Sequence, residues 1–504
     1  MKNAWKNLVS VILALMLCLG CIGVAGAEEY EPLTIRLMTT AHPTMPINDE
    51  MLTLKVLEEK FNVDFEFELV AGADYTEKLN TILAGGTLPD VFYAPVNTMS
   101  QYYEYGVVRQ LDDLLAEYAP NIIKQWQEHD LLRNVLSDDG HFYYTTYIDE
   151  SSSLECCGWI NADMMEECGI ESIPTTYEEL YEVLKTFQEH YGADSDVIPM
   201  ACGPWYTVQK PIYLAFHTYD SWIYFNDDEG YVYGPYAYAD NMKAALSYMH
   251  KLYAEKLLDN EFLTRSADDI NALCAQGKIG YMNTWADHAS AIAKGGVYGC
   301  NYVPVPVLDP TNGAEKFVGN KEATAAVMFI SAACDDKVAQ RWLEIVNYIY
   351  SDEGIMLFDW GVEGDTYEMV DGKPQLTDKV LKSELGELNG RRSFGMELQA
   401  FPHLATWEGW SAVLWDCTVE VTEANMPYVL PQQPNLSGTL DEENELATIM
   451  SDINNYVATS LTAFIVGDMD IETEFDAFQD QLKAMGIDRA TEINAAKFSR
   501  WLAR

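Results

Sequence analysis

Residues Leu79 to Val96 read LNTILAGGTLPDVFYAPV. The apolar spacing up to Ala84 is that of an amphipathic helix, and Gly85-Gly86 breaks it. Pro89 then biases its predecessor away from helix, and VFYA is too short a run to be one, so it reads as a strand. The only charge of that strand, Asp90, stands at its entrance. Ligands of open α/β sheets bind at strand ends beside loops. Asp90, with Tyr93 close by, is therefore a candidate for a polar ligand. The alternative is that Asp90 only caps the turn after Pro89.

Working outward, LTIRLMT (Leu33 to Thr39) alternates as a first strand. A loop follows to about Asn48, then a helix through Lys60. Val63 to Val70 is a second strand and Tyr75 to Ala84 a second helix. The resulting βαβαβ order predicts a mostly parallel sheet with helices on both faces. Helices are expected again over Leu111 to Ala116 and Asn121 to His129. The chain then turns aromatic and β-rich (HFYYTTYI, His141 to Ile148), with a further strand over Leu154 to Asn161. Asn161-Ala162-Asp163 starts a helix. Pro174-Thr175-Thr176 starts the next, with Thr175 or Thr176 as cap and Glu178 or Glu179 in its first turn. Trp222 to Tyr233 is a hairpin around Asp-Asp-Glu-Gly; it lacks the alternating carboxylates and closing Glu of a calcium loop. Asn241 to Lys256 reads as an amphipathic helix. Tyr302 to Leu308, YVPVPVL, is extended and suits a crossing between domains. Ala323 to Ala332 is a strand, Asp336 to Tyr350 a helix, and Tyr367 to Leu376 a hairpin around Asp371-Gly372.

At 504 residues the chain is long enough for two or three domains. Its 48% hydrophobic and 12% aromatic content is that of a globular protein. A formal charge of −48 argues against a nucleic-acid partner, because a phosphate backbone would be repelled. Lys2 and Lys6 precede an apolar run from Leu8 to about Val24, and Ala25-Gly26-Ala27 offers a small-residue cleavage site. This is a secretory signal over residues 1–27. Its removal leaves 29 basic residues against 79 acidic ones, a charge of −50. A second route competes: Leu19-Gly20-Cys21 resembles the end of a lipobox, with Cys21 lipidated, although Cys18 stands where an aliphatic residue is usual. Both routes place the protein outside the cell, secreted or lipid-anchored. The eight cysteines beyond the leader show no regular framework and no C-x-x-C, so buried free thiols are expected rather than a zinc site.

No nucleophile elbow, phosphate loop or H-E-x-x-H is present, and no cofactor or metal is expected. The eight histidines are scattered without ligand-like spacing. A pair of carboxylates for glycoside hydrolysis carries little weight among 79 acids. The aromatic residues say more. Trp159, Trp205, Trp285, Trp407 and Trp410 fall at expected strand ends or loops. A carbohydrate cleft needs such rings for the C–H faces of sugars, interleaved with Asp, Glu and Asn for the hydroxyls. The alternative for each ring is a place in the core.

Several segments carry a family resemblance. LAGGTLPDVFYA is followed by YGVVRQLDDLLAEYAPNI (Tyr105 to Ile122). WINADMMEECGIESIPTTYEELYEVLKTFQ (Trp159 to Gln188), NALCAQGKIGYMNT (Asn271 to Thr284) and FDAFQDQLKAMGIDRATEINAAKFSRW (Phe475 to Trp501) come after it in order. Together they resemble family 1 of the extracellular solute-binding proteins, the sugar-type components of ABC importers. The resemblance implies a two-lobed α/β Venus flytrap with its ligand between the lobes. The first lobe would comprise 28–148 and a return at 302–355. The second would comprise 149–301 and 356–504, the latter with the C-terminal helices. It also implies a carbohydrate or related polyol ligand, a membrane permease partner, a monomer and no catalysis. Asp90 would bind sugar hydroxyls, and Trp285 would be a stacking ring. His42, Asn48 and Asp49 would lie on the same rim as Asp90. A peptide or metabolite ligand on the same fold, a secreted carbohydrate-active enzyme and a surface adhesin are the alternatives.

Overall fold

The computed structural model describes residues 30–42, 46–95, 99–150, 157–193, 195–203, 208–284, 300–310, 313–319, 327–398 and 400–504. The leader with Cys21, and also Trp205 and Trp285, lie outside the described residues. The strands run β1 (Leu33–Ala41), β2 (Val63–Ala71), β3 (Val91–Ala94), β4 (Tyr144–Thr146), β5 (Ile148–Asp149), β6 (Cys157–Asn161) and β7 (Ile198–Met200). They continue with β8 (Trp222–Tyr224), β9 (Tyr231–Tyr233), β10 (Ile279–Thr284), β11 (Tyr302–Val305), β12 (Val327–Ile330), β13 (Tyr367–Val370), β14 (Lys373–Leu376) and β15 (Leu404–Ala405).

Local signals set the elements. Gly86 takes a left-handed conformation, φ 65°, and ends the helix Gly72–Gly85, as the Gly-Gly break requires. Asn161 Oδ1 accepts the Met164 N–H and caps the helix Ala162–Glu167. Thr176 caps the helix Tyr177–Tyr191 by accepting the Glu179 N–H, while Glu179 reaches back to the N–H and hydroxyl of Thr175. Both hairpins form, β8 with β9 and β13 with β14. Asp371 and Gly372 turn the second one with φ of 53° and 80°, the backbone a two-residue turn demands.

The strands form two principal sheets, ordered β2-β1-β3-β12-β4 and β11-β6-β10-β7. In the first, β1 is parallel to β2 and β3, and β12 is antiparallel to β3 and β4. In the second, β6 is antiparallel to both neighbours. Each sheet has its own core. Phe92, Phe329, Trp126 and Trp342 are fully buried around the first. Ile160 and Leu184, with Phe464 and Phe478 of the C-terminal helices, centre the second. The opposite face of the second sheet is closed by Cys274 and by Cys417 and Val421 of the helix Asp416–Asn425.

Two of the expected domain boundaries shift. β11 hydrogen-bonds to β6, so residues 302–305 belong to the second sheet and the return begins after them. Phe358, Leu398, Phe401 and Leu404 pack into the first core, so 356–405 sides with the first unit. The proline-pinned look of Tyr302–Val305 concealed an edge strand, a position that tolerates a missing N–H at Pro304.

The chain passes three times between the units, from Asp149 to Cys157, from Val305 to Val327, and from Ala405 to Asp416. Register shows which ends these passages join. Val327 lies level with Ala94 and Thr146, so the start of β12 shares an edge with the ends of β3 and β4. Thr284 pairs with Cys157 and Val305 with Gly158, so the ends of β10 and β11 share an edge with the start of β6. The stretch from Thr146 to Cys157 is short enough to hold these two edges within about 40 Å of each other. β5 and β15, from which the first and third passages leave, pair in a parallel ladder.

Candidate functional site

The two edges joined by these passages hold the candidate site. On the first unit, β1 ends into His42, and β15 leads into the short helix Trp407–Ser411. Glu150, directly after β5, accepts the Trp407 N–H at 2.9 Å. Its other oxygen lies 3.1 Å from His129 Nε2, while His129 Nδ1 meets the Gln125 carbonyl at 2.9 Å. Both ring nitrogens face acceptors, so the imidazolium is favoured. The Glu150 hydrogen bond raises His129 above its ordinary 6.5, against its partial burial, and His129 in turn lowers Glu150.

Behind Trp410 lies a buried ion network. Arg391 is fully buried, with Nη1 2.7 Å from Glu397 Oε1 and Nη2 donating to Asp359 Oδ1 at 3.4 Å. Arg392 Nε also donates to Glu397. Thr406 donates its hydroxyl to Asp359 and accepts the Gly409 N–H, which starts the Trp407–Ser411 helix. A side chain at Gly409 would collide with the Asp359 carboxyl, 2.5 Å from an added Cβ. Burial pushes Asp359 up to about 7, with Arg391 and Thr406 pulling it down. The Arg391 and Arg392 guanidiniums both lie 5.9 Å from the Trp410 ring centroid. Arg392 keeps a quarter of its side chain in solvent. Its charge, after partial burial, lowers the pKa of His42. His42, Arg392, Trp407 and Trp410 thus form one aromatic and cationic rim.

On the second unit a cavity partly open to solvent lies at the corresponding edge. Gly158 and Tyr281 with Asn283 line it from β6 and β10, and Val305 from β11. Tyr177, Leu214 and Tyr219 close another side, and Phe317 and Asn425 a third. A Cβ at Gly158 would stand 2.6 Å from the Tyr281 hydroxyl, so glycine is what admits that ring. Asn283 is 5% exposed and donates to the Tyr281 hydroxyl at 3.3 Å; its Oδ1 has no hydrogen-bond partner among the described residues.

The expected site residues divide. His42, Trp407 and Trp410 come together at the first rim, and Asn48 and Asp49 are exposed on the loop after β1. Asn48 Oδ1 caps that loop by accepting the Glu50 N–H. Tyr93 lies next to this edge of the first sheet, its ring 5.5 Å from Tyr75. Two expected residues lie away from this rim. Asp90 enters β3 from the edge opposite His42, because Leu37, four residues before Ala41, pairs with Val91. There Asp90 is 8% exposed and accepts the N–H and both guanidinium arms of Arg36, at 2.9, 3.2 and 2.8 Å. Trp159 is fully buried on the face of β6 turned to Met282 and Tyr302, so it is a core ring. Arg392, Glu150 and Asn283 escaped the sequence reading. One signal pointed to the first of them: Arg391-Arg392 is the only adjacent basic pair in a strongly acidic chain.

Among the described residues no cluster of His, Cys, Asp and Glu is arranged to hold a metal ion, and no helix is long and apolar enough to cross a membrane. The described free cysteines include the buried Cys202, Cys274, Cys334 and Cys417.

Comparison with known proteins gives consistent results. The model of the family described as bacterial extracellular solute-binding protein matches residues 48–356. Lipoprotein LipO of Bacillus subtilis is 22% identical over 521 residues, covering 98% of each chain. The polygalacturonan/rhamnogalacturonan-binding protein YtcQ of the same organism is 24% identical over 307 residues, 57% of this chain and 58% of its own. The structure of the S. pneumoniae ABC-transporter substrate binding protein FusA, in complex with kestose, superposes with a TM-score of 0.73 at 22% identity. It covers 93% of this chain and 99% of that one. The architecture is thus the two-lobed α/β fold of substrate-binding proteins.

Proposed function

Because the chain belongs to the bacterial extracellular solute-binding proteins, we propose that it is the carbohydrate-capturing component of an ABC importer. It works outside the cell and hands its ligand to a membrane permease. The observation that carries the reading is that the passages between the units leave from one edge of each principal sheet. Three passages join the same edge of one unit to the same edge of the other. We place the ligand between Trp407, Trp410 and Arg392 of one unit and the Asn283 cavity of the other. Rings of this kind cover the C–H faces of a sugar, while guanidinium and amide groups bind its hydroxyls. Trp285, which directly follows β10 in sequence, is assigned as a further stacking ring.

Capture works through closure. Contacts from both units to one ligand exist only when the edges approach, so ligand shifts the population towards the closed form. The paired β5 and β15 let two passages bend together. The permease then reads the closed form. The protein is a binder without catalysis, anchored through Cys21 or freely secreted. The relative YtcQ is named for binding polygalacturonan and rhamnogalacturonan, which supports a carbohydrate ligand here. A thermal-shift screen of the mature protein against oligosaccharides, amino acids and short peptides tests the reading. Stabilisation by an oligosaccharide alone is expected; stabilisation by amino acids or peptides with no response to any saccharide contradicts it.

A further inference from the structure

We infer that the cavity at Asn283 is a subsite for an acetamido sugar unit. The inference rests on the reading of the chain as a carbohydrate binder and names which carbohydrate the second unit selects. The walls are mostly apolar, with Leu214 and Phe317 among them. Into these walls the β10 strand presents Asn283, 95% buried, with Oδ1 lacking any partner among the described residues. A buried acceptor of this kind calls for a donor. Its own N–H group is already directed at the Tyr281 hydroxyl, 3.3 Å away, which fixes the amide so that the carbonyl oxygen is the end left for a ligand.

A pyranose bearing only hydroxyl substituents fits this place poorly, because apolar walls cannot replace the water each hydroxyl loses. An acetamido group carries one N–H donor, one carbonyl acceptor and one methyl. The N–H matches Asn283 Oδ1, and the methyl matches Leu214 and Phe317. Gly158 keeps the room open, since any larger residue would push the Tyr281 ring inwards.

Titration calorimetry of the mature protein with N,N′-diacetylchitobiose and with cellobiose tests this, since the two differ in bearing acetamido or hydroxyl groups at the second carbon of each ring. The expected result is a preference for the acetamido disaccharide of roughly tenfold or more. Asn283→Ala should bring the two affinities together while leaving the melting temperature nearly unchanged. Equal affinities in the wild type overturn the inference, as does a preference that survives Asn283→Ala. The wild-type comparison decides by itself if that variant does not fold. Binding of other oligosaccharides with neither disaccharide bound overturns the inference and leaves sugar capture standing. Binding of no saccharide at all overturns both.

Discussion

Glu150 holds the backbone N–H of Trp407 with one carboxylate oxygen, 2.9 Å away, and ties together the first and third passages where both leave the first unit. His129 grips the other oxygen. The pair has a working pH window. His129 is raised above 6.5, so its contribution is complete below that pH and is lost as pH rises through the raised value. Glu150 is lowered below 4.5, so its contribution is present above that pH and is lost as pH falls through the lowered value. The tie is therefore strongest between pH 4.5 and 6.5. Melting temperatures of the wild type should fall on going from pH 6 to pH 9, and Glu150→Gln should flatten that fall. A fall of the same size in the variant would remove His129 and Glu150 from the explanation.

Arg392 and Trp410 lie side by side on the first rim, and both reach solvent. Trp410→Ala and Arg392→Ala should each weaken saccharide binding by about 1–3 kcal/mol. Their effect on unfolding should be smaller, since neither side chain is fully buried. Unchanged affinity in both variants, measured by titration calorimetry, would move the ligand away from this rim.

Arg391 behaves differently from its neighbour because it is completely buried between two carboxylates. Arg391→Met leaves Asp359 without its cation and Glu397 with Arg392 alone, and should destabilise the fold by about 3–5 kcal/mol at pH 8. Asp359 already sits near 7, and without Arg391 it rises further. At pH 5 it would be neutral, so the loss should shrink. Urea unfolding at the two pH values reads the difference; an equal loss at both would show that packing, not charge, is what Arg391 supplies.

Asp90→Asn should leave ligand affinity unchanged and reduce stability by about 1–2 kcal/mol. It removes a charge-assisted fork to Arg36, and half of that guanidinium is in solvent. Reduced affinity with unchanged stability would reverse the assignment and return Asp90 to the ligand.

How far the chain could be read before folding depended on whether a feature was local. The first three strands, the caps at Asn161 and Thr176 and the turn at Asp371-Gly372 follow from neighbours within a few residues, and each formed where its pattern stood. Asp90 was different. Its place at a strand entrance was legible, but which edge of the sheet that entrance joins depends on the pairing of Leu37 with Val91. Trp159 and Gly158 are adjacent in sequence and face opposite sides of β6. One side is core and the other is cavity, and only the packing of helices on each face decides which. The ion network of Arg391 unites residues from 359 to 406, and no local pattern announces it beyond the unusual pair of arginines. Tyr302–Val305 looked like a linker because its prolines hide an edge strand.

The central claim is that the ligand lies between the two joined edges and draws them together. Small-angle X-ray scattering of the mature protein, with and without a saturating oligosaccharide found by the thermal-shift screen, measures this directly. A smaller radius of gyration in the presence of the sugar is the result expected. Tight sugar binding with an unchanged radius of gyration would contradict capture by closure of the two units.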